Sequence, residues 1–432
     1  MRAVACTAHL CARAPAEQLS IFCGPQVREG QTWLEFAEWV FMRHISRLLQ
    51  LHRRVVIAFD NYGEVPVFKS IEQLKRVSNK GVFAYRVGDE LGTGPPPPHV
   101  WAQALLNRDL KTAVISRICS ILLNKFAPQQ AQSELIVDYV DTIRVRFEDG
   151  KRKHELLESH AHLGESDIKF MRYGSLFGDI LVESVDSDVL LIAMLQLQRT
   201  EFKHRVYVRR YATRSIDDAP AAGRKRPAEA NAKKGTGGNA APRRGREYEI
   251  VDVCVLLQLL HGAVRQSVGP EVALPAHHIT HIIVVLALLT GSDYNRQLPL
   301  VGPRHLWEQL GELVPMLQMS SNAGTSEPEL SIDPELWLDV FMKHVYCQKF
   351  AKHVRGLRED ATFADTIDAL RASALADRTK ALLPRPEQAA CTLRNILWVL
   401  EYWKLENASP VCAEAGQHGF LVCNGKVRFA DF

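Results

Sequence analysis

The sequence is short of the features that would set it apart from ordinary globular proteins. Its nine cysteines are scattered over 432 residues with no CxxC pair. That pattern argues for free thiols in a reducing compartment, and against a disulfide scaffold or a zinc ribbon. No apolar run approaches the roughly 20 residues needed to span a bilayer, so no membrane contact is expected. The opening MRAVACTAHLCARA is interrupted by His9 and Arg13 before a signal-peptide core forms, and a nuclear or cytoplasmic protein is expected. Net charge is only +4, so any nucleic-acid surface must come from local clusters of Lys and Arg. Asp is absent before residue 60.

Acids concentrate instead in the stretch His162 to Ala193, in two tight pairs, Glu165/Asp167 and Asp186/Asp188. The first pair opens a helix-like segment, and the second follows the short apolar strand Ile180-Leu181-Val182. Val55 to Phe59 reads as another apolar strand, ending in Asp60. Ile282 to Leu289 is an apolar helix running into Thr290-Gly291-Ser292-Asp293-Tyr294. Acids delivered at C-terminal strand ends lie where open α/β sheets place their chemistry. The expected fold is therefore α/β, with a mostly parallel central sheet flanked by helices. Carboxylates packed this closely repel one another unless a cation sits among them, and Mg²⁺ prefers oxygen ligands of this kind.

Four motifs follow in order: FD at Asp60, GESD at 164–167, SVDSD at 184–188 and LLTGSDY at 288–294, with nineteen residues from Asp167 to Asp186. Together they resemble the 5′-nuclease family that includes flap endonucleases, over roughly residues 55–310. The resemblance implies a PIN-like core and structure-selective hydrolysis of phosphodiester bonds in DNA or RNA with two Mg²⁺ or Mn²⁺ ions. Asp60, Glu165 and Asp167 would serve mainly the first ion; Asp186, Asp188 and Asp293 would complete that site and build the second. Lys69 and Arg76 look like the family's phosphate contacts at the base of its helical arch. Leu298 to Arg304 resembles the turn through which the family presents backbone amides and a monovalent cation to a DNA phosphate. Gly302 and Arg304 would take part there, and Leu300 stands at the position of the turn's first Gly. The family's first-strand Asp has no counterpart before Asp60. A second reading follows: a catalytically weakened relative that binds nucleic acid or a protein partner as a scaffold. A third is a single-strand RNase of the related PIN class.

The resemblance divides the chain into a nuclease core at 1–212 with an arch or cap at about 61–130, and a resumed core with a helix-turn-helix at 247–314. A mainly helical extension fills 315–432. Residues 213–246 read as a disordered basic insertion. Arg224, Lys225 and Arg226 belong to it, and it suits a nuclear localisation signal or a nucleic-acid tether. Strands are expected at 135–140, 142–147, 204–211 and 247–251, and helices at 100–126, 252–261, 334–355 and 388–405. A hairpin is expected at 420–429, turning at Asn424-Gly425. Leu19 to Cys23 reads as a strand and Trp33 to Leu51 as a helix. The spacing of His277 and His281 puts two imidazoles on one helix face, which suits a polar first turn before a buried helix better than a zinc site, and the near-helical spacing of Trp398, Tyr402 and Trp403 favours core packing over base stacking.

Overall fold

The computed structural model describes residues 3–8, 35, 38, 48, 52, 54–61, 108–125, 134–159, 163–184, 186–199, 203–211, 248–269, 275–292, 297–308, 312, 337–358, 360–403, 420–423 and 426–429. In chain order these form β1 (Ala3–Ala8), β2 (Arg54–Phe59), α1 (Arg108–Lys125), β3 (Glu134–Asp138), β4 (Thr142–Glu148) and β5 (Lys151–Leu157). Next come α2 (Ser166–Phe177), β6 (Ile180–Glu183), α3 (Asp188–Arg199), β7 (Val206–Tyr211), β8 (Tyr248–Asp252), α4 (Val253–Val268), α5 (Ala276–Leu289) and α6 (Pro303–Glu308). A π-helical turn (Leu338–Met342) leads into α7 (Lys343–Lys349), α8 (Phe363–Ala372), α9 (Asp377–Lys380), α10 (Pro386–Trp403), β9 (Phe420–Cys423) and β10 (Lys426–Phe429). The expected strand at 19–23 and most of the expected helix at 33–51 lie outside the described residues.

The fold is α/β, but the sheet is mixed rather than mostly parallel. Eight strands lie in the order β5-β4-β3-β2-β1-β6-β7-β8. The five from β3 to β7 in that order run parallel, while β4, β5 and β8 run antiparallel at the two edges. The chain passes from β1 outward to β5, then returns to the other side of β1 at β6, so the strand order reverses between β1 and β6. In open α/β sheets such a switch point opens a crevice at the C-terminal strand ends.

The central slot is filled by β1, whose Cys6 stands opposite both Ile57 and Glu183. Its sequence AVACTA has no polar alternation, in keeping with a strand paired on both sides. Val55 to Phe59 and Leu135 to Val137 are buried, as their apolar runs predict. The Asp149-Gly150 turn has positive φ at both residues, 53° and 72°, which gives the tight hairpin twist that joins two antiparallel strands. The second strand of that hairpin, β5, was not anticipated because KRKHELL is charged along its length. It is an exposed edge, and charge there discourages pairing with another chain. Glu134, buried at the start of β3, meets Arg54, Arg144 at 3.8 Å and Arg146 at 3.3 Å.

Helix α4 begins at Asp252, whose carboxylate caps Cys254 N at 3.0 Å and Val255 N at 3.3 Å. Helix α5 is apolar nearly all round and is buried accordingly. The C-terminal helices share the same core: Trp337, Phe341, Tyr346 and Trp403 are fully buried in the cluster that contains Val182, Ile192 and Val285. Tyr402 and Trp403 are thus core residues, as their spacing indicates, and β9 pairs with β10 as the expected hairpin. Among the described residues no helix is long and apolar enough to cross a membrane.

The burial of titratable side chains fixes a pH window. Burial pushes the phenols of Tyr173, Tyr346 and Tyr402 above their ordinary 10.0 and the Cys119 thiol from 9.0 up to about 12. These groups hold their protons more tightly when folded, so their contribution is lost as pH rises past the unfolded values. Burial also holds the imidazoles of His204, His261 and His278 below 6.5, so their contribution is lost as pH falls below that value. The melting temperature is expected to be highest between about pH 7 and 9 and to fall on both sides. A curve still flat near pH 11 would contradict the assignment.

Candidate active site

Asp60 follows the last residue of β2 and is buried at 3% exposure. Its Oδ1 accepts from the backbone N of Ser166 at 2.9 Å and from Ser166 Oγ at 2.8 Å. An acid from a strand end therefore caps helix α2 by satisfying one of its unbonded first-turn amides. The next residue ties the same loop, with Asn61 N donating to Gly164 O at 2.6 Å. Gly164 has φ 70°, a left-handed conformation that a glycine takes without strain.

That arrangement fixes the first acid pair. Glu165 is the residue before α2 and makes no cap bond with its own side chain; Asp167 lies in the first turn. Both are buried, at 1% and 3% exposure. The phenol of Tyr402 feels the charge of all three acids. Burial raises that phenol's pKa well above 10.0, and the three carboxylates, Glu165 first, push it further in the same direction.

The second pair sits in the β6–α3 turn. Asp186 N donates to Ser184 Oγ at 3.1 Å, and Asp186 Oδ1 accepts from Asp188 N at 3.0 Å at the start of α3. Both carboxylates are half-exposed. Asp186 thus has a local task, ordering the turn by an Asx-type bond.

The side chain that holds α2 in place is Lys169, which the sequence reading passed over. Fully buried, its ammonium donates to Phe59 O at 3.0 Å, Asp138 Oδ1 at 3.0 Å and Tyr139 O at 3.2 Å. Tyr173, one turn further along α2, donates to Asp138 Oδ2 at 2.5 Å. The ends of β2 and β3 are thereby pinned to the helix that carries Glu165 and Asp167. A lysine inside the run Ile168 to Met171, whose neighbours are all apolar, is the signal that could have revealed it.

Of the remaining expected site residues, Lys69, Arg76, Asp293, Arg224, Lys225 and Arg226 lie outside the described residues. Arg304 is exposed on α6 and pairs with Glu308 at 2.7 Å, and Gly302 immediately precedes that helix. Leu300 adopts φ 63°, the left-handed conformation that a Gly would take freely and that costs another residue about 1–2 kcal/mol. The turn is braced to hold it there. Pro299 O accepts from Tyr346 Oη at 2.6 Å, Leu300 O from the Lys349 ammonium, and Val301 O from Gln297 Nε2 at 2.9 Å. A monovalent cation at this turn would compete with Lys349 for the Leu300 carbonyl.

The all-oxygen donor set suits a hard divalent ion. Among the described residues no three His, Cys, Asp or Glu side chains stand close enough to hold one. The central strand contributes no carboxylate, since β1 contains none and the sequence continues with His9. The chain matches no protein-family model and no curated protein.

Lys169→Met would leave Asp138 charged and buried without its counter-ion. The expected loss is about 3–5 kcal/mol, measured by urea unfolding. Adding Asp138→Asn should recover part of that loss, because the two changes share one interaction. A loss below about 1 kcal/mol for the single variant would show that the ammonium is not structural.

Proposed function

We propose that this protein is a divalent-metal-dependent phosphodiester hydrolase on a PIN-like core, acting on DNA or RNA by structure rather than by sequence. The observation that carries the reading is the bond from Ser166 to Asp60, which brings three buried acids, Asp60, Glu165 and Asp167, to the C-terminal end of β2, one strand from the switch between β1 and β6. The parallel order β3-β2-β1-β6-β7 supports the same reading. Asp60, Glu165 and Asp167, with Asp186, Asp188 and Asp293 completing the set, would hold a Mg²⁺ or Mn²⁺ pair, which would supply a water of lowered pKa and positive charge at the leaving oxygen.

The chain's own residues orient and hold. Asp60 fixes the start of α2, and Lys169 fixes that helix to the strand ends. By resemblance, Lys69 and Arg76 contact the scissile phosphate, where positive charge favours the transition state. Arg304 near the 298–302 turn, and the basic residues Arg224, Lys225 and Arg226, add salt-dependent affinity for the backbone. A nuclear or cytoplasmic location accords with such a substrate. The carboxylate-free central strand favours the second reading, a scaffold that binds nucleic acid or a protein without cutting.

The test is a cleavage assay on 5′-flap, nicked, single-stranded DNA and RNA substrates with Mg²⁺ or Mn²⁺. Cleavage is expected on at least one, and Asp188→Asn or Glu165→Gln should reduce it on the order of a hundredfold or more. Both variants should keep their nucleic-acid affinity. A wild-type protein that binds nucleic acid and cuts none of these substrates with either metal would leave the scaffold reading.

A further inference from the structure

We infer that the C-terminal end of α10 is a brace for both acid-bearing helices and that Tyr402 is the positioning residue of the acidic site. This rests on the hydrolase reading for its consequence in catalysis, but the brace itself is a matter of hydrogen bonds. Tyr402 Oη donates to Leu163 O at 2.6 Å, although the two residues are 239 apart in sequence. Glu165 N also donates to Leu163 O, at 2.7 Å. The turn that ends in Glu165 is therefore closed from one side by Asn61 and Asp60, and from the other by Tyr402.

The neighbouring residue reaches the other helix. Gln196 Nε2, on α3, donates to Trp403 O at 2.6 Å. Helix α3 opens with Asp188, so two successive residues of α10 hold the segment before Glu165 and the helix after Asp186. The end of α10 is itself rigidly seated. Tyr402 and Trp403 are buried at 2% and 0% exposure, and the Tyr402 ring stacks on Trp398 with centroids 5.3 Å apart. The direction of the Tyr402 bond also has a chemical consequence. It donates its proton to a carbonyl, not to an acid, and so leaves the carboxylate oxygens to other partners. The segment beyond residue 315 is thus part of the site's architecture.

The experiment compares full-length wild-type protein with Tyr402→Phe, which removes one oxygen and keeps the ring. In metal-free buffer, amide hydrogen exchange at 163–167 is expected to speed up about tenfold, the size expected from one buried hydrogen bond. Exchange in β3, β4 and β5 should not change. With Mn²⁺ titrated into a cleavage assay, the half-maximal metal concentration should rise about tenfold, while the rate at saturating metal stays within about twofold. Unchanged exchange at 163–167, or an equal rise across the whole molecule, would overturn the brace. If the phenylalanine variant does not fold, Gln196→Met removes the other bond, and a comparable local rise is expected within α3 (Asp188–Arg199). Its absence would overturn the brace equally. A wild-type protein without any Mn²⁺ response would refute the hydrolase reading, and the exchange comparison would still decide the brace.

Discussion

The structure depends on one buried charge. The Lys169 ammonium sits where water cannot reach it, and a lysine so placed is costly unless every donor is used. All three are: a carboxylate from β3 and two carbonyls from the ends of β2 and β3 accept from it. Because the acceptors belong to strand ends and the donor to a helix, the bonds exist only when α2 crosses the sheet at one place. That place puts the first turn of α2 beside Asp60, which then caps it. A stability requirement and a charge cluster are thus met by the same helix. The acids repel one another, and the bonds that confine them lie one turn away along α2.

The parts of this fold legible in the sequence are those that short-range rules encode. The apolar runs of β2 and β6, each followed by acid, reveal two parallel strands and their chemical ends. The Asp149-Gly150 dipeptide reads as a turn, though not as the hairpin it makes, and Asp252 reveals the start of α4. The parts not legible are those whose partners are distant. Nothing near Tyr402 announces Leu163, and nothing near Lys169 announces Asp138. The central strand was missed because β1 lacks any alternation, and β5 because its charge suits an edge and not a core. Leu300 shows the opposite case. The sequence places a side chain where the resemblance has glycine, and the backbone takes the glycine conformation regardless, held by Tyr346, Lys349 and Gln297.

The acids form two classes by environment. Asp60, Glu165 and Asp167 are buried and fixed by the ends of β2, α2 and α10, whereas Asp186 and Asp188 stand half-exposed at the start of α3. On the proposed reading, the outer pair is the side of the site open to solvent. The central strand brings no carboxylate between the two classes.

The most direct measurement of this account is Mn²⁺ binding to the isolated protein, followed by calorimetry or by the loss of the free-ion electron paramagnetic resonance signal. Saturable binding is predicted, and Glu165→Gln should weaken it by at least about tenfold with the melting temperature in metal-free buffer unchanged or raised. Binding that does not saturate at millimolar Mn²⁺, or that is identical in the variant, would contradict the proposal that these buried carboxylates take part in a metal site.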